Sequence, residues 1–314
     1  MRSREGMLPL VVRAMTVESA SIVSIRLEHA QQTELPPWEP GAHIDLQLLT
    51  RHERQYSLCG EPADRRSYRI AVLREEFSRG ASLYIHRFLR VGARVYARPP
   101  RNLFPLAAAP SYLLIAGGIG ITAILPMARE LAARGAEWRA LHLVRHRKDA
   151  GFADEFAELG ERATVHVSSE GGRVDSAALF SGLAPGTAVY ACGPQSLMAD
   201  LERNAPRLPH ESVLHAERFQ PVRRAWLPDE PFSVVCARSG KDVTVPAGST
   251  MLSALDKAGI ELPASCFRGV CGSCAVPLLA GTAEHRDSLG TDDATGVVYP
   301  CVSRARSTTL TLDV

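Results

Sequence analysis

The first hundred residues alternate polar and apolar side chains with a period of two. SIVSIRLEHA, HIDLQLLT and SYRIAVLRE each place apolar residues two positions apart, which is the pattern of half-buried strands. The turn-forming stretches ELPPWEPG and GEPADRRS separate these segments, and ASLYIHRFLRVG has the pattern of one short helix. Several strands with a single helix predict a small antiparallel β-barrel over residues 1–107, which ends in the linker FPLAAAPS.

The hydrophobic pattern changes at Tyr112. YLLIA is a continuous apolar strand, followed by GGIGIT and by a helix whose Ile121, Leu125, Ala128 and Leu131 share one face. RALHLV, ATVHVSS and TAVYACG predict further short buried strands with helices between them. Strands that alternate with helices in this way predict a parallel α/β domain over residues 108–222.

A third domain is predicted over residues 229–314. The segment RFQPVRRAWLPDEP reads as a second linker. Beyond it, FSVVCARSG and KDVTVPAG predict a hairpin, TMLSALDKAGI predicts a helix, and TTLTLDV predicts a final strand.

Length and composition agree with a multidomain globular protein. The 314 residues are 46% hydrophobic and 22% charged, with a formal net charge of +2, which does not suggest a nucleic-acid binder. MRSREGMLPLVVRAM lacks the apolar core of a signal peptide, and the apolar stretch YLLIAGGIGITAILPM is interrupted and too short to span a bilayer. We therefore expect a cytoplasmic protein without nucleic-acid or membrane partners.

Charge is unevenly distributed along the chain. Residues 229–314 contain ten acidic and seven basic residues, a net charge of −3, whereas the remainder carries +5. The difference is consistent with electrostatic docking, either within the chain or with a partner. The alternative is that these charges only solvate the surface.

Four of the seven cysteines lie in the last fifty residues. CFRGVCGSC places Cys266, Cys271 and Cys274 at C-x4-C-x2-C spacing, and Cys301 follows. In a reducing compartment such a cluster holds metal or performs redox chemistry. The spacing is that of plant-type [2Fe–2S] ligands. Structural zinc is the alternative, although zinc ribbons normally combine two C-x2-C knuckles.

The loop GGIGIT follows a buried strand and opens a helix. Gly117, Gly118 and Gly120 would allow a pyrophosphate to approach the N–H groups of the helix start, close to Thr122. Read with Ala123, the loop is similar to the dinucleotide fingerprint G-x-G-x-x-A. The acidic residue expected about 20 positions later is missing, and a tight strand–helix turn without a ligand remains the alternative.

A second candidate nucleotide loop is YACGPQSLM. Cys192, Gly193 and Pro194 form a turn between a strand and a helix. Both loops would lie at the carboxyl ends of neighbouring strands, where ligands bind in open α/β sheets. Cys192 could equally be a small buried hydrophobic residue.

Candidate flavin ligands lie in RQYS, residues 54–57. Strand alternation sends Arg54 and Tyr56 to one face, next to Gln55 and Ser57. Arg54 could meet an anionic flavin or phosphate, Tyr56 could stack on the isoalloxazine, and Ser57 could hydrogen-bond near its N5. In isolation, these residues are also typical of a surface strand.

A candidate anion site lies in SRGAS, residues 78–82. Gly80, Ala81 and the Ser82 hydroxyl stand at the start of a predicted helix, where N–H groups favour negative charge.

The ordered set of motifs resembles a known superfamily. R-x-Y-S, G-A-S, G-G-x-G-x-T and C-G-P follow one another as in the ferredoxin–NADP reductase superfamily, and residues 229–314 resemble a plant-type ferredoxin. Nearly the whole chain is similar to the phthalate dioxygenase reductase family, which includes vanillate demethylase reductases. The resemblance implies a flavin barrel, a Rossmann-like nucleotide domain and a β-grasp ferredoxin domain.

The same resemblance implies the cofactors and the site residues. It implies FMN rather than FAD, a [2Fe–2S] cluster and NADH, with Ser57, Cys192 and Phe219 near the reacting atoms. Phe219 would close the segment HAERF beside the flavin, or would otherwise anchor the linker. Arg145 and Arg147 lie near where the 2′-phosphate of NADPH could bind, or are solvated loop charges.

Such a chain would pass electrons from a two-electron donor to a one-electron acceptor, because a flavin exchanges both. The resemblance implies a monomeric reductase that serves a separate oxygenase, Rieske-type first and cytochrome P450 second. The alternatives are a redox sensor or binding module that keeps only the cluster, and a simple reductase of free flavin, which would need no cluster.

Overall fold

The computed structural model describes residues 6–48, 53–75, 80–222, 225–290 and 293–314. The chain divides into two compact units, Met1–Phe219 and Gln220–Val314. The first two predicted domains fall together in the first unit, and the predicted boundaries at residues 107, 222 and 229 stay predictions. Residues 78–79 of the candidate anion site and 223–224 of the second linker lie outside the described residues.

An antiparallel sheet forms the first part of the first unit. Its elements are β1 (Leu8–Ser19), β2 (Ile22–His29), β3 (Ala42–Gln47), β4 (Glu53–Ser57), β5 (Ser67–Leu73), α1 (Ala81–Phe88), β6 (Arg94–Ala97) and β7 (Arg101–Asn102). The strand order is β4-β3-β6-β1-β2-β5, with β7 beside β3. A bridge between Leu58 and Ile70 joins the two edges. The sheet therefore closes on itself, and the predicted barrel is confirmed.

A parallel sheet forms the second part. Its elements are β8 (Ser111–Gly117), α2 (Ile121–Ala133), β9 (Trp138–Val144), α3 (Ala153–Ala157), β10 (Ala163–Val167), α4 (Ser168–Gly171), α5 (Ser176–Ser181), β11 (Thr187–Cys192), α6 (Gln195–Asn204) and β12 (Val213–Glu217). The order β10-β9-β8-β11-β12 confirms the α/β prediction. The order reverses between β8 and β11, and such switch points bind ligands at the carboxyl ends of the strands.

The two parts of the first unit share one hydrophobic core. Ile22, Cys59 and Ala71 of the barrel are buried in the same cluster as Phe152 and Phe156 of the α/β part. Because this apolar surface is shared, separating the two parts would expose it to water on both sides.

An ionic network crosses the same boundary. Arg69 of β5 bonds Glu18 at 2.8 Å and Glu155 of α3 at 2.7 Å, and its guanidinium lies 4.8 Å from the centre of the Phe152 ring. Arg129 of α2 holds Glu155 from the other side at 2.6 Å. The two sheets are therefore tied by charge-assisted hydrogen bonds as well as by the core.

The predicted linker between the two parts is held by two tyrosine hydroxyls. Tyr190 Oη donates to Pro105 O at 2.9 Å and accepts from Ala107 N–H at 2.6 Å. Tyr112 Oη donates to Ala107 O at 3.0 Å and accepts from Ala109 N–H at 2.8 Å. Four backbone groups of this segment, which contains no strand, are thus hydrogen-bonded by side chains of the α/β sheet.

The second unit is built around a mixed sheet. Its elements are β13 (Phe232–Cys236), β14 (Lys241–Val245), α7 (Met251–Lys257), β15 (Val276–Ala280), β16 (Ala283–Glu284), β17 (Val297–Val298), β18 (Arg304–Ala305) and β19 (Thr309–Leu312). The order is β14-β13-β19-β15-β17, so the final strand lies in the middle, parallel to β13. The predicted hairpin, helix and final strand are confirmed.

Replacing Arg69 with Ala should destabilise the first unit. Glu18, whose side chain is only 9% exposed, would lose its ion-pair partner, and an uncompensated buried charge is costly. We expect a loss of about 2–3 kcal/mol in the free energy of unfolding, measured by urea denaturation. Arg13→Ala, which breaks the exposed pair with Glu28, should cost no more than about 0.5 kcal/mol. Equal costs for the two variants would contradict the prediction.

Candidate functional site

The glycine-rich loop and the Cys-Gly-Pro turn are in direct backbone contact. β8 and β11 are paired along their length, so their carboxyl ends meet. A Cβ on Gly120 would lie 2.0 Å from Cys192 O, and one on Gly117 would lie 2.6 Å from Pro194 Cδ. A Cβ on Gly193 would in turn meet Gly117 Cα at 3.0 Å. Glycine is required here by the space available, and the two predicted nucleotide loops form one surface.

The remaining residues of the glycine loop complete its turn. Gly118 has φ of +51°, a left-handed conformation that favours glycine. The Thr122 hydroxyl donates to Ile119 O at 3.0 Å and is buried. In the structure, Thr122 therefore holds the loop from within, and its predicted contact with the cofactor stays a prediction.

A buried thiol and a buried carboxyl lie side by side at the end of the sheet. Cys192 and Glu217 are register partners on β11 and β12. Burial raises the pKa of Glu217 to about 8, although its hydrogen bond with Cys192 acts against this. Burial, together with the neighbouring Glu217, also raises the pKa of Cys192. Both pKa shifts favour the neutral forms of these groups.

Glu217 was missed in the sequence. Its Oε2 atom is buried without a hydrogen-bond partner among the described residues, which is unusual for a carboxyl group in a protein core. The signal that could have found it is its place in HAERF, because an acidic residue at the carboxyl end of a parallel strand faces the ligand-binding edge. Phe219 follows and packs against the core cluster that contains Cys192.

The candidate flavin strand β4 is fixed on one face by a hydrogen-bond network. Gln55 donates to Asp45 at 2.6 Å, and Arg101 holds the other oxygen of the same fully buried carboxylate at 2.6 Å. Gln55 thus has a structural partner, whereas Arg54 and Tyr56 are directed to the opposite face by strand alternation. Ser57 is buried at the end of this strand.

Glu75 lies close both to the side chain of Tyr56, which is also near Arg54, and to the start of α1. Burial raises the pKa of Tyr56, Arg54 lowers it and Glu75 raises it, so both charged groups are close to the phenol. The N–H of Glu75 lies 3.4 Å from Ser82 Oγ. Gly80 has φ of +101°, and a Cβ there would meet none of the described residues within 4 Å. An arginine, an aromatic ring and a helix start with a hydroxyl are suited to a flavin phosphate and ring.

The four cysteines of the C-terminal unit come together in a buried cluster. Cys266, Cys271, Cys274 and Cys301 are each at most 5% exposed. Hydrogen bonds with Cys271 and Cys301 lower the pKa of the Cys266 thiol, and a hydrogen bond with Cys301 lowers that of Cys274. Hydrogen bonds thus connect Cys301 to Cys266 and Cys274, and Cys266 to Cys271.

The loop geometry fits a two-iron cluster. Gly269 and Gly272 have φ of +66° and +64°, and a Cβ on Gly269 would clash with Asp287 Cα at 2.9 Å. The N–H of Arg268 donates to Cys266 Sγ at 3.3 Å, as expected for thiolate ligands. Four converging cysteines are the ligand set of a [2Fe–2S] cluster.

Comparisons with known proteins agree with this site. A family profile described as "2Fe-2S iron-sulfur cluster binding domain" matches residues 234–306. The phthalate dioxygenase reductase of Burkholderia cepacia is 36% identical over 99% of this chain and 98% of its own. The chain belongs to the phthalate dioxygenase reductase family. The heme-dependent oxidative N-demethylase beta subunit of Ectopseudomonas mendocina is 40% identical over 91% of this chain and 92% of its own.

Two solved structures are similar to nearly the whole of this chain. The crystal structure of phthalate dioxygenase reductase, described as a modular structure for electron transfer from pyridine nucleotides to [2Fe–2S], matches 99% of this chain and 98% of its own, with 35% identity and a TM-score of 0.73. An intact type IV self-sufficient cytochrome P450 monooxygenase gives a TM-score of 0.91 with 37% identity over 98% of this chain. This chain spans 41% of that longer protein.

Membership of the phthalate dioxygenase reductase family gives the chain its class. It is an oxidoreductase of the kind that forms the reductase component of oxygenase systems, with flavin, NAD(P)H and [2Fe–2S] binding. Among the described residues, no helix has the length and hydrophobicity needed to cross a membrane.

The pH dependence of stability should report on Glu217. Its pKa is raised to about 8 in the folded chain, so its contribution is complete below pH 4.5 and is lost as the pH rises towards 8. We expect the free energy of unfolding to fall between pH 5 and pH 8 by at least about 1.4 kcal/mol more in the wild type than in Glu217→Gln. Urea denaturation at the two pH values measures this. Equal changes in both proteins would show that Glu217 is ionised in the fold.

Proposed function

We propose that this chain is an NADH-dependent reductase that uses FMN and a [2Fe–2S] cluster to deliver single electrons to a separate terminal oxygenase of the Rieske type. The observation that carries the proposal is the convergence of four buried thiols in the second unit. The first unit contains two candidate nucleotide loops that are in contact with each other. A bound flavin accepts two electrons together and releases them singly, which links the nicotinamide to the cluster.

The nucleotide is proposed to bind at the surface formed by the two loops. Gly117 and Gly120 let the two loops meet, and Gly118, whose Cβ position is clear of the described residues, would leave the backbone open to a pyrophosphate. The start of α2 favours negative charge there. Cys192 and Glu217 lie beside this surface as uncharged groups. A neutral carboxyl can donate a hydrogen bond to the carboxamide of nicotinamide, and a neutral pair does not repel the transferring hydride.

The flavin is proposed to bind along β4 and at the start of α1. Arg54 supplies positive charge and Tyr56 an aromatic face. Ser82, with Gly80 and Ala81, would hold the phosphate of the mononucleotide. Ser57 and Phe219 are proposed to lie next to the reacting ring. Phe219, packed at the edge of the shared core, would cover the ring until nicotinamide enters.

A preference for NADH over NADPH is proposed because the phthalate dioxygenase reductase family usually takes NADH. Arg147 bonds Glu170 at 2.7 Å on the surface, so its charge is already compensated, whereas a 2′-phosphate needs free positive charge. Measuring kcat/KM for NADH and NADPH in one assay tests this, and a higher value for NADPH would make Arg145 or Arg147 the ligand of the 2′-phosphate.

A cytochrome P450 is the second candidate partner. It is favoured by the high structural similarity to a self-sufficient P450, in which the matching region is part of one longer chain. Reconstitution with purified Rieske and P450 oxygenases, with NADH consumption compared with product formation, distinguishes the two. A sensor without turnover would reduce neither oxygenase.

Removing a flavin ligand should weaken cofactor retention. Arg54→Ala and Ser82→Ala each remove a hydrogen-bond donor to a charged cofactor, and we expect the flavin Kd to rise by about tenfold or more. Flavin released after dialysis is identified and quantified by chromatography, and it should be FMN. The control Arg26→Ala, on the exposed side of β2, should keep its flavin. Full retention in both site variants would show that the flavin binds elsewhere.

Replacing a cluster ligand should separate two activities. Cys271→Ser or Cys274→Ser should lose the cluster, and with it about two irons per chain. NADH oxidation by ferricyanide, which accepts electrons at the flavin, should remain within about twofold, whereas cytochrome c reduction should fall by about tenfold or more. The control Cys236→Ser changes a buried cysteine of β13 in the same unit and should keep both activities.

The outcome also tests the electron route. Cytochrome c reduction that survives loss of the iron would show that electrons leave from the flavin, and the proposed function would fail. Zinc in place of iron in anaerobically purified protein would contradict the cluster.

A further inference from the structure

His142 is a fully buried histidine directly beneath the glycine-rich loop. It lies on β9 opposite Ala116 of β8. Its Nε2 is 3.1 Å from Gly118 O, and its ring packs against that of Phe156 in a T-shaped arrangement with the centroids 5.8 Å apart. Its Nδ1 is buried and has no hydrogen-bond partner among the described residues.

The hydrogen bond fixes the protonation of the ring. A carbonyl oxygen only accepts, so Nε2 carries the proton and donates. Burial lowers the pKa of His142 to about 4, so the ring is neutral at physiological pH. The burial of Nδ1 without a partner is unfavourable for stability, and the protein core alone would favour an apolar residue at this position.

The same hydrogen bond sets the orientation of one peptide in the loop. No described peptide bond is cis, so the N–H of Ile119 points away from the carbonyl of Gly118 that His142 holds. The Gly118 carbonyl also accepts the N–H of Ile121 at the start of α2. The far side of the loop is closed by the contact between Gly120 and Cys192.

We propose that His142 is a positioning residue for the dinucleotide pyrophosphate: it holds the Gly118 carbonyl towards the sheet, so that the Ile119 N–H is presented to the phosphate. A carbonyl turned the other way would place negative charge against the anion. The inference rests on the proposed function, because it assigns the pyrophosphate to this loop.

A positioning role and a purely structural role of His142 predict different kinetics. His142→Met replaces the ring with an apolar side chain that cannot donate. A core residue would tolerate this change with little effect on kinetics. A positioning residue would lose nucleotide affinity even where stability is unchanged or improved.

The test compares binding and turnover in the flavin-loaded holoenzyme. For His142→Met we expect KM for NADH and Ki for ADP-ribose, which has the pyrophosphate but no nicotinamide, to rise together by about tenfold. The kcat with ferricyanide should stay within about twofold. His142→Gln, which keeps a donor near the position of Nε2, should stay within about threefold of the wild type in both constants.

A matched control is available on the adjacent strand. His166 of β10 makes the same type of contact, Nε2 to Gly172 O at 2.8 Å, but in an exposed setting. His166→Met should leave KM and Ki unchanged.

Three outcomes would overturn the inference: unchanged Ki for ADP-ribose in His142→Met, a loss of kcat without a change in KM, or an equal defect in His142→Gln. If His142→Met does not fold, His142→Asn, whose amide is too short to reach Gly118, should show the defect that His142→Gln lacks. A wild-type enzyme that does not oxidise NADH would refute the proposed function itself, which separates the two failures.

Discussion

The close contact between Gly120 and the carbonyl of Cys192 is the constraint on which the rest of the site depends. No side chain fits between these two backbones, since a Cβ on Gly120 would be 2.0 Å from Cys192 O. Because the loops meet there, the helix start of α2, the Cys192 thiol and the Glu217 carboxyl share one end of the sheet. His142 bonds the same glycine loop through the carbonyl of Gly118. If the nucleotide binds here as proposed, its phosphates and its nicotinamide would both be positioned by this close backbone contact.

The junction between the barrel and the α/β sheet affects the separation between the candidate flavin strand and the nucleotide loops. Arg69, Glu18 and Glu155 connect the two sheets over a shared core that includes Cys59 and Phe156. Hydride transfer requires donor and acceptor within about 3–3.5 Å of each other. A junction that resists bending keeps the candidate flavin strand and the nucleotide loops at a constant separation. Under the proposed function, the ionic network would help to hold the two cofactor sites together without contacting a substrate.

The local chemistry of the site was predictable where spacing alone defines it. Cys266, Cys271, Cys274 and Cys301 were predicted from the spacing, because a two-iron cluster needs four sulfurs from one tight loop and one distant position. The alternation of β2, β3 and β5 and the glycines of the nucleotide loop likewise follow from local rules. Glu217 and His142 were not predicted, since their importance arises from partners far away in the sequence. A glutamate and a histidine in short strands look ordinary until burial and register place them beside Cys192 and Gly118.

The two tyrosines that hold the linker also bear on how the protein is made. The Pro105 carbonyl receives its hydrogen bond from Tyr190, 85 positions later in the chain. Synthesis proceeds from the N-terminus at about 5–20 residues per second. The linker therefore leaves the ribosome several seconds before Tyr190 has been added to the chain. During that interval Tyr112 can already bond Ala107 and Ala109, but the Pro105 carbonyl and the Ala107 N–H lack the hydroxyl of Tyr190. The hydrogen bonds of the linker are therefore complete only when β11 has entered the sheet beside β8.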